Sequence, residues 1–443
     1  MAKTNMWNTP PVAQAHQGAV GQRVAARAEL RRTVLTCLLW EDTFYEKGSE
    51  IAQRVARLVV ENDPDYVAAL AREARSKMQL RHVTLFLVRE LARRKGSGPL
   101  VAATLEEVIE RADEPGEFLA LYWKDKKQPL SAGVKRGLAR AFVKFDAYQL
   151  AKYDRDGAVR LRDVLFLCHA KPKDEAQAKV WKKLVAGELE PPDTWEVSLS
   201  AGKDKKATFE RLLDEGKLGG MALLRNLRLM LAAGVAPKLI RERLSQGIAR
   251  ALPFRFVTAA RQAPKLEDTI EEAMLKGVAG LSKMNGSTGL VVDVSGSMNY
   301  KLAKGSETTR MDAAAGLAIL LRQTTEEFAA ATFSDTCVEL PAYRGFALRD
   351  AIVKSQAHGG THLKRALWEL REMSGWKDLE RLIVVTDEQS HDGILPAWTK
   401  KAYVVNVAPY KNGISYGNGW THVDGWSERV LDYIRAVEQE AAE

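Results

Sequence analysis

The sequence predicts a multidomain protein in which an all-α stack of short helices is followed by an α/β domain. A chain of 443 residues exceeds what one hydrophobic core usually serves. From about Glu29 to Ala279 apolar residues recur at helical spacing. Beyond residue 286 the run Gly289-Leu290-Val291-Val292 reads as a buried strand leading into Asp293, and Leu382-Ile383-Val384-Val385-Thr386 as another leading into Asp387. Charge divides with the pattern: residues 1–285 hold 49 Lys and Arg against 36 Asp and Glu, net +13, and residues 286–443 hold 17 against 21, net −4. The expected domains are therefore 1–285 and 286–443, with the basic partner surface in the first.

Taken in order, Met1 to Val20 carries Pro10, Pro11 and His16 but no apolar signal core, and no run of about 18 apolar residues follows anywhere. Cys37, Cys168 and Cys337 lie far apart with no CxxC, so neither a disulfide framework nor a zinc site is indicated, and a cytoplasmic location away from membranes is expected. Glu50 to Val60 is one amphipathic helix. Asn62-Asp63-Pro64 ends it and starts the next, with Asp63 as cap and Pro64 at the first helical position. In Gln79 to Lys95, Leu80, Val83, Leu87, Val88 and Leu91 form one stripe, and Arg81, Arg89, Arg93 and Arg94 lie opposite as candidate contacts for a polyanion. Such short helices joined by tight breaks suggest an α-solenoid, although no fixed sequence period appears.

Between Ser131 and Lys173 the cations are densest: Lys135, Arg136, Arg140, Lys144, Lys152, Arg155, Arg160, Arg162, Lys171 and Lys173. Such a face neutralises phosphates in any sequence, which gives affinity more readily than specificity. Tyr148 and Tyr153 stand ready to stack bases beside these cations, whereas Phe142 and Phe145 share an apolar helix face with Leu138 and belong in a core. Trp181 and Trp195, flanking Pro191-Pro192, are expected only to cover a loop.

In the second domain Asp293-Val294-Ser295-Gly296-Ser297-Met298 hangs an oxygen-rich loop on a strand end. Gly359-Gly360-Thr361 and Asp387 also sit where α/β sheets place ligands. The spacing resembles the metal-ion-dependent adhesion site of the von Willebrand factor A fold, Asp-x-Ser-x-Ser with a distant Thr and a distant Asp, matched by Asp293, Ser295, Ser297, Thr361 and Asp387. That resemblance covers residues 286–443. It implies that the serines and Thr361 meet the cation directly, that the two acids act mainly through water, and that an open position takes an acidic group from a protein partner. An oxygen-only set with two carboxylates suits Mg²⁺, or another divalent cation, better than zinc or Ca²⁺.

Glu41-Asp42-Thr43-Phe44-Tyr45-Glu46, Gly133-Val134-Lys135-Arg136-Gly137-Leu138, Ala151-Lys152-Tyr153, Leu161-Arg162-Asp163-Val164 and Cys168-His169-Ala170-Lys171-Pro172 resemble the TROVE domain of the Ro autoantigen and its bacterial orthologues. The resemblance implies a monomeric ring of HEAT-like helical repeats closed by the A domain. Such a ring would bind small non-coding Y RNA on its outer basic surface and single-stranded 3′ ends of misfolded RNA in its central hole, in RNA quality control, with an exoribonuclease recruited through the RNA. Lys152 and His169 match RNA-contacting positions of that family; Arg155 matches less well, since Asp154-Arg155-Asp156-Gly157 differs in length and adds two acids. His169 also has a plain role open to it, as a helix-terminal histidine bonded to a carbonyl near Pro172.

No enzyme is expected. Cys168 beside His169 and Ser390-His391-Asp392 are sequence neighbours without a nucleophile's geometry, and no phosphate-binding GxxxxGK[ST] loop is present. The alternative to an RNA-binding scaffold is a metal-dependent protein-interaction module without physiological RNA.

Overall fold

The computed structural model describes residues 26–36, 48–248, 251–302, 307–387, 390–407, 418–424 and 430–440. The motif Glu41 to Glu46 and Cys37 lie outside them. The chain forms two compact units, and the boundary falls after Lys203.

The first unit is all helical: α1 (Ala26–Thr36), α2 (Gly48–Glu61), α3 (Pro64–Ser76), α4 (His82–Ala92), α5 (Gly98–Val108), α6 (Glu114–Tyr122), α7 (Ala132–Phe142), α8 (Ala147–Tyr153), α9 (Leu161–Cys168), α10 (Glu175–Ala186) and α11 (Trp195–Ser200). Each helix packs on near neighbours in sequence: α3 on α4 and α5, α5 on α7, α7 on α9. This is the layered stack that the helical breaks foretell. Asp63 caps α3 as expected, accepting from the N–H groups of Asp65 and Tyr66 at 2.9 and 3.2 Å, with Pro64 at the first position. The helix expected from Gln79 starts only at His82, because Gln79 takes a left-handed φ of 55°.

The glycines of Gly133-Val134-Lys135-Arg136-Gly137-Leu138 explain the close packing of α7 on α5. A Cβ on Gly133 would lie 2.4 Å from the Gly98 carbonyl oxygen, and one on Gly137 would lie 2.8 Å from Leu105 Cβ and 2.9 Å from the Ala102 oxygen. Gly137→Val therefore overpacks a fully buried seam and should cost about 3 kcal/mol, the upper end for such insertions. Gly157→Ala, where a Cβ meets nothing within 4 Å, should leave the urea midpoint unchanged or slightly raised. Equal midpoints for wild type and Gly137→Val would refute the close-packing account.

The second unit begins with α12 (Lys205–Asp214), α13 (Gly220–Ala232), α14 (Pro237–Ser245), α15 (Pro253–Gln262) and α16 (Glu267–Val278), and continues into a sheet. The strands are β1 (Met284–Asp293), β2 (Thr325–Phe333), β3 (Cys337–Leu340), β4 (Arg381–Thr386), β5 (Lys401–Asn406) and β6 (Thr421–Asp424), in the order β3-β2-β1-β4-β5-β6. Only the edge strand β3 runs antiparallel to its neighbour. Four helices accompany the sheet: α17 (Arg310–Thr324), α18 (Gly345–Lys354), α19 (Leu363–Glu372) and α20 (Val430–Glu440).

This is the Rossmann-like doubly wound arrangement expected for the C-terminal half. Buried α17 shows why α15 belongs to this unit: a Cβ on Gly316 would lie 2.6 Å from Phe254 Cβ, so the two helices meet almost backbone to backbone. The strand order reverses between β1 and β4, which brings the carboxyl ends carrying Asp293 and Asp387 side by side. Among the described residues no helix is long and apolar enough to cross a membrane.

Candidate nucleic-acid interface and candidate metal centre

At the switch point Asp293 is fully buried. One carboxylate oxygen accepts from the Ser295 N–H at 2.8 Å and the other from the Thr386 hydroxyl at 2.6 Å. The first bond folds the loop back, and the Ser295 and Ser297 hydroxyl oxygens then stand 3.2 Å apart. Asp387, also buried, accepts from Arg310 Nη1 at 2.7 Å, and the same nitrogen donates to the Ser297 carbonyl at 3.1 Å. Thr361 is held by His391: its N–H donates to the ring Nδ1 at 3.2 Å, and the His391 N–H donates to its carbonyl at 2.9 Å. On the same segment His358 Nδ1 meets the Val294 carbonyl at 2.5 Å, which joins the threonine loop to the aspartate loop. A Cβ on Gly359 would lie 1.7 Å from Asp335 Oδ2, so only glycine fits there.

Ser390-His391-Asp392 shapes this rim. Asp392 accepts from the N–H groups of Lys364 and Arg365 at 3.0 and 2.9 Å and so caps the start of α19.

The donor set fits a hard cation. Two carboxylates and the hydroxyls of Ser295, Ser297 and Thr361 are oxygen donors of the kind such a cation takes. Burial pushes the Asp293 carboxyl up to about 6, the neighbouring Asp387 charge adds to this, and the bonds from Ser295 and Thr386 oppose it. Arg310 pairs with Asp387, and the mutual repulsion of the two buried carboxylates is what a bound cation would relieve. Arg310 and Thr386 were not singled out from sequence; an arginine opening a helix and a threonine ending a strand carry no motif.

In the first unit the basic cluster separates into two kinds of cation. Arg140 pairs with Glu106 at 3.2 Å, Lys144 donates to the Glu106 carbonyl, and Arg160 pairs with Asp156 at 2.5 Å. Lys135, Arg136, Lys152, Arg155, Arg162, Lys171 and Lys173 have no ion pair among the described residues. Lys152 lies 5.9 and 5.7 Å from the ring centres of Tyr148 and Tyr153, and Tyr148 is half exposed. The capping box of Asp146 and Gln149 fixes this short helix. Arg155 and Lys152 share a cleft of about 380 Å³ with Asp154, Glu190 and Glu196; of the two acids expected beside Arg155, Asp154 lines it, whereas Asp156 pairs with Arg160.

His169 ends α9 with a left-handed φ of 52°. Its ring is exposed and makes no hydrogen bond among the described residues, so the plain bond to a carbonyl near Pro172 is not what holds it. A non-glycine residue held in that region stores strain, which collects at functional positions. Phe142 and Phe145 are core residues as expected. Cys168 is buried, and burial pushes its thiol up to about 12.

The arginines of α4 correct an expectation. Arg81 pairs with Asp113 at 3.2 Å and with Glu114 and Glu117 at 3.0 Å each; Arg89 is buried against Glu90 and Asp125; Arg93 reaches Asp125 at 2.7 Å. Arg94 donates to the carbonyls of Val59 and Asn62 at 2.8 and 2.5 Å. These four tie helices together and are not set out for a polyanion.

The two units define a class: a stack of helical repeats in the first, and in the second a doubly wound α/β sheet with oxygen-bearing loops at its switch point. The TROVE domain family matches residues 178–288, C-terminal to the motifs between Gly133 and Pro172. Telomerase protein component 1 is 39% identical over 97 residues in Mus musculus and 36% over 97 residues in Rattus norvegicus. The chain spans 4% of the length of these curated relatives. The crystal structure of the Deinococcus radiodurans Ro (RSR) protein matches with a TM-score of 0.65, covering 86% of this chain and 92% of that one at 20% identity. Residues 178–288 are thus similar to the TROVE domain, and the chain has the fold of that Ro protein.

Proposed function

We infer that this chain is an RNA-binding protein of the Ro type. It binds a small, structured, Y-like RNA on the basic face of α7 to α10 and takes single-stranded 3′ ends of misfolded RNA as a second class of ligand. It acts as a scaffold in RNA quality control, and catalyses nothing itself. An exoribonuclease would be reached through the bound RNA, and an acidic group of a protein partner through Mg²⁺ at Asp293, Ser295, Ser297, Thr361 and Asp387.

The observation that carries the reading is the contrast between the two sets of cations. The arginines of α4 are consumed by protein carboxylates and carbonyls, while Lys135, Arg136, Lys152, Arg155, Arg162, Lys171 and Lys173 have no ion pair among the described residues. Unpaired cations release counterions when they meet phosphate; cations already in ion pairs release few.

A competition experiment tests the RNA preference. A hairpin with a single-stranded 3′ tail should displace a blunt duplex of equal length, because only the tail offers unstacked bases. Equal affinity for the two would remove the 3′-end half of the reading.

A further inference from the structure

We propose that the groove between α9 and α10 is a stacking site for one unpaired nucleotide of RNA, with Phe166 as its platform; this rests on the RNA-binding reading above. The groove measures about 560 Å³, within the ~300–1,000 Å³ of small-ligand sites. Leu165, Phe166, Ala170, Pro172 and Trp181 line it, and Lys182 is the charged residue of its wall. Phe166 is 61% exposed, although its neighbours Leu165 and Cys168 face the core of the same helix. A lone exposed phenylalanine needs no explanation. This one forms part of a groove whose other features all ask for the same occupant.

Trp181 is 6% exposed and packs edge-on against Phe142 with ring centres 5.4 Å apart, and its indole N–H has no acceptor among the described residues. Along the segment from His169 to Lys173 the groove residues Ala170 and Pro172 alternate with exposed His169, Lys171 and Lys173. With Lys182, these place cations around an apolar floor, and no carboxylate lines it. The occupant must therefore present a flat apolar face and negative charge together. An unpaired nucleotide has both: the base stacks on Phe166 and its phosphates meet the lysines. A base held in a duplex cannot enter, since its face is covered.

The test uses the full chain and two hairpin RNAs closed by the same loop, one with a fully paired stem and one whose stem carries a bulge of three unpaired nucleotides. Phe166→Ala should weaken binding of the second about 5- to 100-fold, the range of base–aromatic stacking. The slope of log affinity against log salt should not change, because every phosphate keeps its cation. Phe166→Trp should bind as well as wild type or better, and the paired hairpin should hardly distinguish the variants. If wild type binds both RNAs with steep salt dependence and Phe166→Ala binds the second equally well, stacking is overturned while RNA binding stands. If wild type binds neither RNA, the RNA reading itself falls. Sedimentation separates the remaining case: a wild-type dimer that Phe166→Ala dissolves would make the groove an interface between two copies and would overturn the proposal.

Discussion

Asp293→Asn should abolish Mg²⁺ binding and at the same time make the metal-free protein more stable at pH 8. The carboxyl is fully buried, and burial together with Asp387 holds it at about 6, against about 4 in an unfolded chain. A raised folded value means that this group's contribution to stability is fully present below about pH 4 and is lost as pH rises through 6. At pH 8 the metal-free fold therefore bears the cost of a charged, buried acid, ~3 kcal/mol at most from that difference. Asparagine keeps an acceptor for the Ser295 N–H and removes the charge. In EDTA the variant should melt above wild type at pH 8, with the gap closing by pH 5. Mg²⁺ should raise the wild-type melting temperature and leave the variant's unchanged, because a cation that binds only the folded state stabilises it by mass action. Calorimetry should show wild-type affinity falling about tenfold per pH unit below 6, as the proton competes with the metal. Identical wild-type melting with and without Mg²⁺ at pH 8 would remove the cation site from this account.

How much of this was legible in sequence differs between the two units for physical reasons. The five candidate oxygens could be named because a loop at a strand end is a local feature: Asp293, Ser295 and Ser297 are sequence neighbours, and Thr361 and Asp387 each follow a recognisable break. The counter-charge Arg310 could not. It stands 13 residues beyond Ser297 and 77 before Asp387, and meets them only because α17 begins beside the loop.

The α4 arginines were misjudged for a related reason. In a layered stack a helix has neighbours on more than one side, so the polar face opposite the apolar stripe is not always solvated. The acids beside Arg81, and Asp125 beside Arg89, lie 32 to 36 residues away, a distance that periodicity does not register. Phe166 is the converse case: nothing in the sequence marks it among the apolar residues of α9, yet it stands exposed beside the groove. Periodicity reports the existence of a face and leaves open what covers it.

The same distinction fixes the expected outcome for the basic face. Lys152→Ala combined with Arg162→Ala should weaken binding of a structured RNA on the order of tenfold to a hundredfold at 0.1 M salt, and should flatten the dependence of log affinity on log salt by about one for each phosphate no longer neutralised. Neither residue has an ion pair among the described residues, so each substitution leaves one RNA phosphate holding its counterion. Arg140→Ala combined with Lys144→Ala removes the same formal charge, yet should do less. Arg140 is already paired with Glu106 and Lys144 already donates to the Glu106 carbonyl, so both would have to leave protein partners to meet phosphate. Removing Arg140 would also free the Glu106 carboxylate, which repels RNA at long range, so the second pair should lower affinity modestly with a smaller change in slope. Arg89→Ala is the third arm: its guanidinium is buried against Glu90, so the damage should appear as a lower melting temperature and leave RNA affinity per folded molecule unchanged. A folded Lys152→Ala/Arg162→Ala protein with the wild-type salt slope would show that phosphate is met elsewhere, and equal slopes for both double variants would show that ion pairing within the fold does not decide which cations bind RNA.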